Sequence, residues 1–202
     1  MSVRTSTAAW IACVLTFGVA VAGCDTEPST ATHDRAAVAA ALKAVRTSRC
    51  PASLPTRQAR DVGGDSLEPL VADRLLLCGY ADVGINHRTE HIRGRALVTD
   101  RGQLDRFRAA LDKLGKPPGG AVSCPDDIGG FVLEIFTDGV HEVELTQSLT
   151  GCQEVSNGER DGRVGTSDVG TTVMALLPAR FCQALWGRGT NDCDSLPSVA
   201  RP

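Results

Sequence analysis

The sequence predicts an α+β domain: an antiparallel sheet with packed helices, stapled by disulfides. Three observations lead there. Apolar residues recur at helical spacing in some stretches and form short strand-length runs in others. An Asp138-Gly139 pair separates two of those runs, as in a β-hairpin. Cysteines beyond residue 24 are even in number and widely spaced, which reads as a disulfide framework in an exported chain. The 202 residues suffice for one domain with a true core, and 42% hydrophobic with 22% charged residues excludes a disordered or collagenous chain. A net charge of −3 gives no clustered basic face for phosphate neutralisation, so no nucleic-acid partner is expected.

Taken in order, Asp34 is placed to cap a first helix from Arg35 to about Arg46, with Val38, Leu42 and Val45 on one side. Residues 51–70 carry turn-forming Gly and Pro and read as a loop. Arg74 to Tyr80 is a short apolar run of a buried strand, and Arg95 to Thr99 is a second strand. Asp100 then caps an amphipathic helix bearing Leu104, Phe107, Leu111 and Leu114, stopped by Gly115 and Pro117-Pro118. Phe131 to Thr137 and Val140 to Leu145 form the hairpin, with Asp138-Gly139 as a two-residue type I′ turn. Gly151 to Val155 adds a third strand of this group before an Asn157-Gly158 turn, and a loop of Gly, Asp and Arg follows. Asp168 caps a last helix with Val169, Val173, Leu176 and Leu177, which Pro178 kinks or ends.

The first residues read as an address. Arg4 supplies a positive start and Ala8 to Val21 an apolar run of about 14 residues, short for a bilayer span and right for a signal-peptide core. Val21-Ala22-Gly23-Cys24 then resembles the lipobox of bacterial lipoproteins. That resemblance implies diacylglyceryl and further acyl (palmitate-type) modification of Cys24, with cleavage just before it. Two or more chains anchor stably, since each buried CH₂ contributes roughly 0.8 kcal/mol. The expected organisation is a signal peptide over 1–23, a polar tether over 24–33 and an exported α+β domain over 34–202. The membrane is then the first partner, through the lipid, at the outer face of the cytoplasmic membrane.

With Cys13 lost and Cys24 lipidated, Cys50, Cys78, Cys124, Cys152, Cys182 and Cys193 remain for disulfides. Spacing leaves the connectivity open. Neighbours in order are the favoured set, because Cys50–Cys78 and Cys124–Cys152 span equal lengths and both first partners precede Pro. Those matched Cys-Pro spacings hint at two similar halves. No C-x₂₋₄-C or C-x-x-C pair exists to favour zinc or thiol-redox chemistry. Cys124-Pro125-Asp126, the Asp138-Gly139 hairpin, Gly151-Cys152 and Asn157-Gly158, with Cys78-Gly79-Tyr80 upstream, resemble a pattern in uncharacterised exported lipoproteins of actinomycetes. The likeness implies disulfides and location, and carries no active site.

One stretch has the spacing of chemistry. His87-Arg88-Thr89-Glu90-His91 matches the H-x-x-E-H signature of inverted zincins, in which two His bind zinc and the Glu is the general base. That geometry needs a helix, whereas Gly84 and Gly94 bracket the motif and a strand follows, so a charged loop is the favoured reading. Gly165 to Gly170 lacks the G-x-S-x-G spacing of a nucleophile elbow, Asp126-Asp127 lacks a calcium loop, and phosphate-cradling Gly motifs are missing. Tyr80 and Trp186 are the aromatic residues free for recognition. The sequence therefore predicts a non-catalytic cell-surface lipoprotein that binds an unknown envelope ligand or protein, without a cofactor. The alternative is a zinc-dependent hydrolase using His87, Glu90 and His91.

Overall fold

A computed structural model describes residues 35–81, 91–119, 124, 129–165 and 167–186. Its centre is an antiparallel six-stranded sheet in the order β2-β1-β3-β4-β5-β6. The strands are β1 (Arg74–Ala81), β2 (His91–Val98), β3 (Phe131–Thr137), β4 (Glu142–Ser148), β5 (Glu154–Ser156) and β6 (Asp161–Arg163). The helices are α1 (Arg35–Thr47), α2 (Arg101–Leu111), α3 (Asp168–Leu176) and α4 (Ala179–Trp186). The α+β expectation holds.

Side-chain alternation divides the core into two layers. Leu76, Cys78, Tyr80, Leu133 and Ile135 face α1, while Leu75, Leu77, Val132, Phe136, Val143 and Leu145 face α2, α3 and α4. A sheet covered on both faces is apolar at nearly every strand position, which explains the unbroken run in β1. The α1 contact differs from expectation: Ala41, Ala44 and Val45 are buried, whereas Val38 and Leu42 are half-buried. Small alanines let the helix axis come close to the sheet, so the packed stripe is displaced from the one the larger residues mark.

Asp100 caps α2 as expected, its Oδ1 accepting the Gln103 N–H at 2.8 Å. Leu104, Phe107 and Leu111 are buried, and Phe107 stacks on Phe136 with ring centroids 6.0 Å apart. The β3–β4 turn is longer than the expected two residues. Thr137 pairs with Glu142, leaving residues 138–141 as the loop, with Gly139 at φ +93°. Asp138 Oδ1 accepts the Val140 and His141 N–H groups at 2.8 and 2.7 Å, an Asx-type closure that outcompetes the tight turn. The displacement is an even number of residues, so every β4 side chain keeps the face its period assigns.

Three elements were not anticipated. Residues 59–61 of the long loop pair with the start of β4: Glu144 N–H donates to Ala59 O and Asp61 N–H to Glu142 O. The Gly-Asp-Arg loop contains β6, joined to β5 by a turn built on Asn157. Its buried side chain accepts from the Glu159 and Arg160 N–H groups and donates to Leu67 O at 2.8 Å. Pro178 ends α3 and a further helix, α4, begins one residue later. Ser167 rather than Asp168 occupies the α3 N-cap position, and Asp168 is the first helical residue.

What seats α4 is a glycine notch. Gly79 and Gly94 are directly paired across β1 and β2, and the Phe181 ring lies on them. A Cβ on Gly79 would come within 2.6 Å of Phe181 Cε2, and one on Gly94 within 2.8 Å of Phe181 Cβ. The Cys50–Cys78 and Cys124–Cys152 disulfides form as expected, with Cα atoms 5.6 and 4.8 Å apart. Cys182 is also disulfide-bonded, and Cys193 lies outside the described residues. The equal spacings do not mark a structural repeat: Cys78 sits inside β1, whereas its counterpart Cys152 sits in the turn before β5.

Candidate functional site

The feature best suited to recognition is a cavity of about 270 Å³ between the end of β4, the start of α3 and α4. Strand alternation carries Val143, Leu145, Gln147 and Leu149 toward the helical layer, so Gln147 is a polar residue on an apolar face. Its side chain is fully buried, and neither Oε1 nor Nε2 has a hydrogen-bond partner. Leu149, Val164, Met174 and the 41%-exposed Trp186 supply apolar wall. Ser167 and Thr171 contribute hydroxyls from α3 and its cap, and the Ser167 Oγ is buried and makes no capping bond. Gly170 brings α3 close: a Cβ there would lie 3.3 Å from Val164 Cγ1 and 3.7 Å from Gln147 Nε2. Among the described residues that line this cavity no side chain titrates, because Cys182 is in a disulfide.

A group of buried acids occupies the sheet beyond this cavity. Glu134 lies between Leu77 and Leu145 in register, fully buried, with both carboxyl oxygens unpartnered. Burial pushes it up to about 8, so it is predominantly protonated at neutral pH. On the opposite face Glu142 is raised to about 9 by burial and by the Glu144 and Asp61 carboxylates. Glu144 is raised to about 7 by burial, against an opposing 2.6 Å hydrogen bond from the Ala59 N–H. Glu68 is likewise raised to about 7 by burial, although Arg108 lies 3.2 Å away. Arg60, also fully buried, pairs with Glu159 at 2.7 Å and donates to the Val62 and Gly64 carbonyls.

The sequence-predicted residues are placed as follows. His91 opens β2, paired with Ala81, so its backbone is extended rather than helical as a zincin would need. His87 and Glu90 lie outside the described residues, as do Cys24 and the lipobox. Among the described residues no group of three or more His, Cys, Asp or Glu is arranged to hold a metal ion. Among the same residues no helix is long and apolar enough to cross a membrane.

Tyr80 is not free for recognition: it is fully buried and its hydroxyl donates to Pro51 O at 2.8 Å. Trp186, by contrast, stands at the cavity. His141 lies in the β3–β4 loop rather than in the strand. It is exposed and paired with Asp138 at 3.0 Å, which raises the imidazole pKa. Burial alone would raise Asp138, but its hydrogen bonds from His141 and Val140 hold it down at about 2.

Gln147 and Glu134 escaped the sequence reading, although each leaves a trace. A polar residue interrupts a period-two apolar series in Val143-x-Leu145-x-Gln147-x-Leu149 and in Val132-x-Glu134-x-Phe136. No protein-family model, no curated protein and no solved structure matches this chain.

Proposed function

We propose that this chain is an extracytoplasmic lipoprotein, anchored through acylated Cys24 at the outer face of the cytoplasmic membrane. Its α+β domain binds an envelope ligand without transforming it. The observation that carries the binding reading is the cavity over Gln147. Apolar walls and an aromatic rim surround a few uncommitted polar groups, the ordinary makeup of a small-molecule site. Among its described residues the lining offers amide and hydroxyl groups, which recognise by hydrogen bonding. The lipobox resemblance supports the anchor, and the disulfides fit an oxidising compartment.

Two measurements test this reading. Acyl labelling and membrane fractionation should follow the wild-type chain and be lost in Cys24→Ala; recovery of a reduced protein from the cytosol overturns the anchor. Thermal melting against wall fragments, peptides and ions should show a ligand-dependent rise, and no shift across the whole panel overturns binding. One equivalent of zinc, lost on His91→Ala, would replace it with the hydrolase alternative.

A further inference from the structure

We infer that the face built by α1 and the edge strand β2 docks on an anionic lipid surface, so that the domain lies against the membrane that anchors it. This rests on the anchor reading above and names the partner's chemistry. From Arg35 to Arg60 the chain holds six basic residues and no acid: Arg35, Lys43, Arg46, Arg49, Arg57 and Arg60. All but Arg60 are exposed. In a chain of net charge −3 that is a local excess of the opposite sign.

Strand register adds β2 to this face. Arg95 pairs with Cys78, Leu97 with Leu76 and Ile92 with Tyr80, and these partners belong to the layer that faces α1. Directly opposed residues share a face of the sheet. Arg95 therefore lies on the α1 side, where it donates to Ser48 O at 3.0 Å, just past the end of the helix. Leu97, 42% exposed, and Ile92, 40% exposed, flank it. Apolar side chains left in water among arginines match the interfacial zone of a bilayer, where cations meet phosphate and alkyl groups enter the headgroup boundary.

A recess of about 480 Å³ opens between α1 and residues 49–59, lined by alanines of the helix and by Lys43, Arg49 and Arg57. Three cations around one opening suit a phosphodiester headgroup. Among the described residues lining it the one acid is Glu144, which is 5% exposed and accepts the Ala59 N–H. Asp61, Glu142, Glu154 and Asp161 lie at β4 or beyond, across the sheet from β2. In sequence Asp25, Glu27 and Asp34 precede the N-terminal end of α1, which the helix rise puts on the order of 15–20 Å from Arg46. Arg35 follows Cys24 by eleven positions, a reach of at most about 40 Å, so the bilayer is the polyanion always within range.

Lysine chemistry supplies the test, because Lys43 stands on this face and Lys113 and Lys116 follow α2 on the other side of the sheet, all three exposed. The full-length chain is reconstituted in vesicles of phosphatidylcholine alone or mixed with phosphatidylglycerol, labelled with an acylating reagent and read by mass spectrometry. In the anionic vesicles Lys43 should react at least about fivefold more slowly than in the neutral ones, with Lys113 and Lys116 unchanged, since one basic residue near such a surface favours contact roughly fivefold. High salt should remove the difference. Arg46→Glu with Arg49→Glu should remove it while the chain still floats with the vesicles, and Leu97→Ser should reduce it; these side chains are exposed, so the fold tolerates the changes. Equal Lys43 rates in the two vesicles, with the chain floating with both, overturn the docking and leave the anchor standing. Failure to float with either overturns both. Slowing of Lys43 in detergent that grows with protein concentration assigns the face to a second copy and also overturns the proposal.

Discussion

Replacing Glu134 with Gln should flatten the dependence of stability on pH. The carboxyl is buried without a partner, and its pKa lies at about 8 instead of the ordinary 4.5. Between those values the native state holds a proton that the unfolded chain has released, so stability falls as pH rises. Integrating from pH 5 to pH 8 gives a loss on the order of 3–4 kcal/mol from this residue alone. Gln keeps the shape and cannot ionise. Wild type and Glu134→Gln should therefore be close at pH 5 and differ by about 3–4 kcal/mol at pH 8, in favour of the variant. Urea unfolding followed by circular dichroism, disulfides intact, would show the gap as a midpoint difference on the order of 1–3 M. Parallel curves for the two proteins, with a gap changing by less than about 1 kcal/mol over that range, would refute the buried ionisation.

Further outcomes follow from the same structure. Glu68, Glu142 and Glu144 are also raised by burial, so wild-type stability should peak near pH 5 and decline through pH 7–9; a melting temperature that climbs with pH would contradict this. Removing the Cys50–Cys78 disulfide by double Ser substitution should cost about 3–4 kcal/mol in denaturant unfolding, from a loop closed over 28 residues of separation. Gly79→Ala should cost about 1–3 kcal/mol because the new methyl meets the Phe181 ring, and the melting temperature measures it. Arg60→Met should lose about 2–4 kcal/mol, since its hydrogen bonds to Val62 and Gly64 and its pair with Glu159 go together; an unchanged urea midpoint would show that they contribute nothing.

Local chemistry was legible wherever a short stretch decides its own geometry. The Asp100 cap, the Leu104-Phe107-Leu111 stripe of α2 and the pairing of β3 with β4 could be read from residue order, and the Cys50–Cys78 and Cys124–Cys152 disulfides were the favoured pairings among those that spacing left open. Each depends on a period or a side-chain bond spanning a few residues, or on a sparse set of cysteines. The β3–β4 turn was misjudged in length, yet its faces were right, because an even slip preserves a period of two.

Tertiary contact settled the rest. Nothing near Gly79 announces that Gly94 will lie beside it and that Phe181, about a hundred residues away, will fill the notch. The pairing of residues 59–61 with β4, the short β6 and the separate α4 owe their stability to partners distant in the chain, which periodicity does not register. Gln147 and Glu134 belong to both sides of the line. Residue order shows a polar side chain on an apolar stripe, but only the assembled layers bury each without a hydrogen-bond partner, and at Glu134 that burial raises the carboxyl pKa.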